Sequence, residues 1–225
     1  MTAIQDAGLE AFGHGVREAL VAPEGSPLAT LFTAPLITAL VVDLREACFD
    51  PRLAPALNEV RDALERVGVP RGRQFVLAGG TIEDLVPRPQ EWVAGLRRGL
   101  SFDVMLHDPA RTFTAGRTSD GDPIELDDEL REAEAIVCIG RGFAATGRVH
   151  GGPYLLVPGV ASLATRRAFE TRHAYGGERA ALTFALAAET QAPVDLALTW
   201  DAKGHVRAGR GRTLFAALAR EAGFA

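Results

Sequence analysis

The sequence predicts an α/β protein on an open, mostly parallel sheet with helices on both faces, and two observations predict it. Four short apolar runs, Ala39-Leu40-Val41-Val42, Phe75-Val76-Leu77-Ala78, Val104-Met105-Leu106 and Ile136-Val137-Cys138-Ile139, each end in a polar or glycine-rich turn. Segments of helical character separate them. Continuous apolar runs of this kind are strands buried on both faces, as parallel sheets require. Ligands of such sheets sit beyond the carboxyl ends of the strands, which sets Asp43, Thr81, His107 and Gly140 along one rim.

The elements follow in order. Leu9, Phe12, Val16 and Leu20 recur at helical spacing and give one apolar face, although Gly8, Gly13 and Gly15 weaken that helix. Pro and Gly between Val21 and Pro27 end it. After the first strand, Asp50 as N-cap and Pro51 at the first helical position open a helix that carries Leu53, Leu57, Val60, Leu64 and Val67; Pro55 can shift that start. With the strand at Phe75 this is a βαβ unit, expected to be right-handed. A helix is predicted around Glu91 to Arg98, then the third strand, an extended pair across Thr112 to Leu126, a helical turn over Asp127 to Glu132, and the fourth strand. Residues 141–159 form a glycine-rich loop, a length that in a compact domain points to function. A helix from Val160 breaks at Gly176-Gly177 and resumes to about Ala188. Val194 to Trp200 and His205-Val206 flank a turn and form a hairpin, and a helix over Thr213 to Ala222 closes the chain.

Composition sets the class. A chain of 225 residues, 47% hydrophobic, fills a core without staples. The two cysteines, Cys48 and Cys138, lie far apart and predict no disulfide. The charge of −5 and the lack of a long basic run exclude a nucleic-acid or anionic-membrane surface. Charged residues among the first twenty exclude a signal peptide or spanning helix there, so a soluble cytoplasmic protein is expected. Arg207, Arg210 and Arg212 read as solvated surface.

Six segments in order carry a resemblance to the lactate racemase family, whose catalytic members use a nickel-pincer nucleotide on 2-hydroxy acids. Ala78-Gly79-Gly80-Thr81 resembles that family's Ala-Thr-Gly-Thr-His turn, and His107-Asp108 its strand-end His-Asp. The segment from Gly116 to Ile124 resembles its Gly-x-Thr-x-x-Gly-x-Pro-Val, and Glu132-Ala133-Glu134 its Glu-Ala-Asp. Gly151-Gly152 with Pro158-Gly159 is similar to its Gly-Gly-x-Lys-x-x-x-Pro-Gly loop, and Val194 to Gly211 to the opening hairpin of its second domain. The resemblance implies a Rossmann-like amino-terminal domain over 1–190 and, over 191–225, a hairpin-helix remnant of a second domain.

The departures fall on the chemistry. Racemising a 2-hydroxy acid needs a hydride acceptor and proton acceptors on both faces of the substrate. The positions at which the resemblance implies two catalytic histidines carry Ile82 and Ala144, and the cofactor-tethering lysine becomes Tyr154. The acid-arginine pair is Asp43 with Arg45, with Glu46 at the matching site. The metal-binding histidine corresponds to Glu170 or, with an insertion, to His173; the two share a helical face, and His150 is a candidate third ligand. His107 and His150 are the candidate catalytic groups. Asp43, Arg45, Gly79, Gly80, Thr81, Gly151, Gly152 and Tyr154 are the candidate ligand contacts, with backbone N–H groups of the two glycine segments expected to hold a small anion.

Blander readings stand beside these. His107 can be a strand-end histidine bonded to backbone, Asp43 a helix cap, and Gly79-Gly80 a tight turn needing positive φ. The first functional expectation is a relative that has lost racemisation and the nickel-pincer nucleotide but keeps a small-anion pocket at the strand ends. The alternative is a nickel-dependent isomerase of the racemase or epimerase type, with its site rearranged onto Glu170, His173, His107 and His150. The apolar alternation of the last hairpin predicts a homo-oligomer, or a partner chain that supplies the missing second domain.

Overall fold

The computed structural model describes residues 3–24, 26–44, 50–80, 94, 103–142, 151–221 and 223. In chain order the elements are α1 (Ala3–Val21), α2 (Leu28–Leu31), β1 (Thr38–Asp43), α3 (Leu53–Arg66), β2 (Gln74–Gly79), β3 (Val104–Leu106), β4 (Thr112–Arg117), β5 (Pro123–Asp127), α4 (Glu129–Glu132), β6 (Ala135–Arg141), α5 (Leu163–Gln191), β7 (Leu196–Trp200), β8 (Val206–Gly209) and α6 (Gly211–Glu221). The helix expected around Glu91 to Arg98 lies outside the described residues.

Six strands form one sheet in the order β3-β2-β1-β6-β7-β8, parallel except for β8, and β4 pairs antiparallel with β5 in a separate ribbon. The four apolar runs are the four central and flanking parallel strands expected of them. Alternation along each strand divides the core in two. Leu40, Val42, Val76, Ala78, Val137 and Ile139 face Phe12, Val16 and Leu20 of α1 and Leu57, Val60 and Leu64 of α3. Ala39, Val41, Leu77 and Cys138 face Leu155, Leu156, Phe184, Ala185 and Phe215 from α5, α6 and the turn before α5. Helices thus cover both faces of the sheet.

Three expectations are corrected. Asp50 does not cap α3, which begins at Leu53 with Arg52 in the cap position and no side-chain cap; Pro55 sits in the first turn, where its missing N–H costs nothing. The last hairpin, expected to open a second unit at 191–225, is hydrogen-bonded into the same sheet, β7 running parallel to β6. Its apolar face is also not open: Leu196, Leu198 and Trp200 are buried in the first core, with the Trp200 ring edge-on to Phe12 at 5.5 Å. The opposite face carries Ala197, packed in the second core with Leu214 and Phe215 of α6. Every residue of β7 is thus buried within the chain.

The break in α5 falls where the sequence sets it, at Gly177, whose φ of 64° and ψ of −162° are non-helical. Among the described residues no helix is long and apolar enough to cross a membrane.

Candidate functional site at the carboxyl edge of the sheet

The parallel strands end at Leu106, Gly79, Asp43, Arg141 and Trp200, so the rim expected from the apolar runs exists. Strand alternation sorts its side chains. Asp43, Gly79 and His107 fall on the α5 side, in phase with Val41, Leu77 and Met105; Arg141 and Trp200 fall on the α1/α3 side, in phase with Ile139 and Leu198.

On the α5 side the chain closes over its own strand ends. A Cβ on Gly79 would lie 2.5 Å from Val160 Cγ1 and 2.6 Å from the Gly159 carbonyl oxygen, so only glycine admits the Pro158-Gly159 turn this close. The Gly80 N–H donates to the Gly159 carbonyl at 2.8 Å, and the Arg166 guanidinium donates to the same oxygen at 2.9 Å. The Gly80 N–H that the sequence offers to an anion is therefore already engaged. Gly151 and Gly152 are buried too. With φ of 75°, Gly151 lies against the Arg141 carbonyl so closely that a Cβ would sit 1.4 Å from that oxygen, and Gly152 packs on the Phe215 ring.

His107 belongs to this closure. Its Nδ1 lies 2.5 Å from Asp127 Oδ2, and its Nε2 lies 3.0 Å from the Ala161 carbonyl oxygen. A carbonyl only accepts, so Nε2 carries hydrogen and donates. Asp127 also accepts the N–H groups of Asp108 and Glu129. Both histidine and aspartate are buried, and the ring ties β3 to the end of β5 and to the turn before α5. Both ring nitrogens are thus bonded within the chain, one of them to backbone, as the strand-end reading of His107 expects.

The other candidates are scattered. Asp43 is buried at the end of β1, level with Gly79. Tyr154 is buried in the second core, edge-on to Phe169 at 5.8 Å; burial, and secondarily the Glu178 charge, push its phenol well above the ordinary value. Glu170 and His173 are exposed on α5, where the His173 ring stacks on Phe169 at 6.5 Å. Among the described residues no group of three or more His, Cys, Asp and Glu side chains is placed to hold a metal. Arg45, Glu46, Thr81, Ile82, Ala144 and His150 lie outside the described residues.

The α1/α3 side holds what sequence reasoning missed. The Asp50 carboxylate accepts from Arg52 Nε at 2.8 Å and Nη2 at 2.7 Å, from the Arg52 N–H at 3.0 Å, and from the Trp200 indole N–H at 3.1 Å. Arg141 Nε lies 3.9 Å from the same carboxylate. Burial alone would raise the Asp50 carboxyl, but the Arg52 and Trp200 hydrogen bonds and the Arg52 charge outweigh it and hold it below the usual carboxylate value. Asp50 reads in sequence as a helix cap because the standard signal, an acid before Pro at a helix start, is satisfied. The partner that claims it, Trp200, is distant in sequence.

No family model and no curated protein sequence matches the chain. Among solved structures it is similar to the lactate racemase apoprotein from Thermoanaerobacterium thermosaccharolyticum, with a TM-score of 0.65 at 16% identity. The likeness covers 90% of this chain and 53% of that one, so the chain spans about half the length of the protein it resembles. At this identity the similarity is one of fold.

Proposed function

We propose that this chain is a lactate-racemase-like scaffold that does not racemise 2-hydroxy acids and that holds a small anion at the carboxyl edge of its sheet. The observation that carries the reading is the surroundings of Tyr154. Where the resemblance implies a cofactor-tethering lysine stands a phenol packed in the core against Phe169. It cannot form the amine-derived link.

The nickel-pincer nucleotide that the resemblance implies does not fit the residues at its positions. Its tether is replaced by buried Tyr154, and its metal-ligand position by Glu170 or His173, both exposed. The implied proton acceptors are Ile82 and Ala144, neither of which can take or return a proton. Each such loss is worth on the order of 10²–10⁴ in rate. His107 does not replace them, since both its nitrogens are bonded within the chain. Anion binding is supported by the rim itself: strands of an open parallel sheet end together, beside glycine-rich connections and an arginine at the end of β6.

Incubation of one lactate enantiomer with the protein supplied with nickel-pincer nucleotide, followed by chiral analysis, is expected to show no racemisation above background. Calorimetric titration with inorganic phosphate and with lactate is expected to show saturable binding of at least one. Racemisation overturns the first half of the reading, and absence of binding by both anions overturns the second.

A further inference from the structure

We infer that the lateral edge of the sheet at β8 is an interaction surface for the β8 strand of a second copy of this chain, and that Glu24, latched by Arg207, is the plug that closes it. This edge lies apart from the carboxyl rim and works without an anion. β8 is the last strand of the sheet, and β7 pairs with it along all four of its residues. On its other side, among the described residues, strand pairing is with Glu24 alone. Glu24 forms an isolated parallel bridge with Gly209: its N–H donates to the Ala208 carbonyl at 2.8 Å, and its own carbonyl accepts from the Arg210 N–H at 3.2 Å.

Two devices hold the plug. The first is the missing side chain of Gly209. The three atoms nearest a Cβ built there all belong to Glu24: its carbonyl oxygen at 2.9 Å, its Cβ at 3.0 Å and its Cα at 3.4 Å. Any larger residue therefore meets the plug before it meets the rest of the chain. The second device is a fork. Arg207 Nε and Nη2 donate to the two carboxylate oxygens of Glu24 at 2.7 and 2.9 Å, while Nη1 donates to both oxygens of Glu221 on α6 at 2.8 and 2.9 Å. Parallel, bidentate donation to a carboxylate is the strongest arrangement open to an arginine. The latch is nonetheless partly in water, with Arg207 30% and Glu24 39% exposed, so it holds less firmly than a buried pair.

A strand edge left open presents main-chain donors and acceptors to any extended segment. A second β8 fits this one. About a twofold axis at Ala208, an antiparallel pair sets Ala208 against its own counterpart, Arg207 against the other copy's Gly209, and Val206 against its Arg210, so no two like charges stand directly opposite. The released Arg207 keeps Glu221 of its own chain as a partner. A one-residue plug makes two main-chain hydrogen bonds, fewer than a strand the length of β8 can make. It holds the edge because it is tethered in the same chain and latched there.

Light scattering on wild type, Arg207→Gln, Arg207→Lys and Gly209→Val across a concentration series tests the assignment, with a thermal melt to show that each variant is folded. Arg207→Gln is expected to tighten dimerisation about tenfold or more, the effect of losing charge-assisted bonds to the plug. Arg207→Lys keeps the charge without the fork and should fall between it and wild type. Gly209→Val, which evicts Glu24 directly, should dimerise most tightly; if it does not fold, the two Arg207 variants decide. Amide hydrogen exchange places the contact: protection along β8 should rise with concentration in the variants that dimerise. Folded Arg207→Gln and Gly209→Val chains that associate no more than wild type overturn the assignment. So does dimerisation that leaves exchange along β8 unchanged, since the copies then meet elsewhere.

Discussion

One sheet edge carries two different constructions. On the α5 side, backbone meets backbone: Gly79 admits the Gly159 carbonyl, Gly80 donates to it, and His107 with Asp127 locks the turn from beyond β3. On the α1/α3 side the strands end in side chains, with Asp50 gathering Arg52, Trp200 and Arg141. The first uses its polar groups on itself, and the second leaves a guanidinium half exposed. Changes on the first should therefore cost the most stability, and the outermost change on the second the least.

The largest expected effect tests the sealed side. His107→Ala removes one partner of a buried pair and leaves Asp127 buried without it, which should cost about 3 to 5 kcal/mol in chemical denaturation. A loss below about 1 kcal/mol would show that the turn does not depend on the ring. Asp50→Asn comes next. It keeps an acceptor for the Trp200 indole but gives up the charge-assisted bonds from Arg52, for a loss of about 1 to 3 kcal/mol. Because the Asp50 carboxyl is held below its ordinary value, its contribution is present above the unfolded value of 3.8 and is lost as pH falls through the folded one. The difference between wild type and this variant should accordingly shrink in acid.

The amino edge of the sheet supplies a control of opposite sign. Glu189 is buried at the end of α5; burial raises its carboxyl, and Asp195 adds to that, against the Val194 N–H and the charges of Arg212 and Arg210. A raised carboxyl opposes folding above its folded value, and that opposition fades as pH falls toward the ordinary value of 4.5. Glu189→Gln should stabilise at neutral pH by roughly 0.5 to 2 kcal/mol and be neutral in acid, read from denaturation midpoints at both pH values. Smallest of all, Arg141→Gln should leave stability within about 0.5 kcal/mol of wild type, as expected of an exposed side chain. A large loss there would erase the contrast between the two sides.

Much of this fold is legible in the sequence because burial on both faces writes itself as apolar runs, and because Gly176-Gly177 interrupts an otherwise helical stretch. The final hairpin shows the limit. Val194, Leu196, Leu198 and Trp200 alternate with Asp195, Ala197 and Thr199, which reads as one wet face; yet Ala197 and Thr199 are buried, Ala197 in the core that Leu214 and Phe215 of α6 complete. Small and β-branched residues tolerate either environment, so alternation cannot decide it. The rim was legible as a place and only partly as chemistry. Glycines that admit another backbone and glycines that admit a ligand carry the same letters, and only the position of Gly159 distinguishes them. His107, Asp127 and the Ala161 carbonyl, like Asp50 and Trp200, are brought together by topology, and nothing in their local spacing announces it.

The indole at the end of β7 also makes the molecule an optical instrument. The chain has two tryptophans, Trp92 and Trp200, and the second is buried with its N–H on a charged carboxylate. A Trp92→Phe chain would emit from Trp200 alone, from a ring whose hydrogen-bond acceptor is shared with the guanidinium of Arg52 and approached by that of Arg141. Any event that shifts either guanidinium changes the field along that ring, so rearrangement at this end of the sheet can be followed as emission colour without a label.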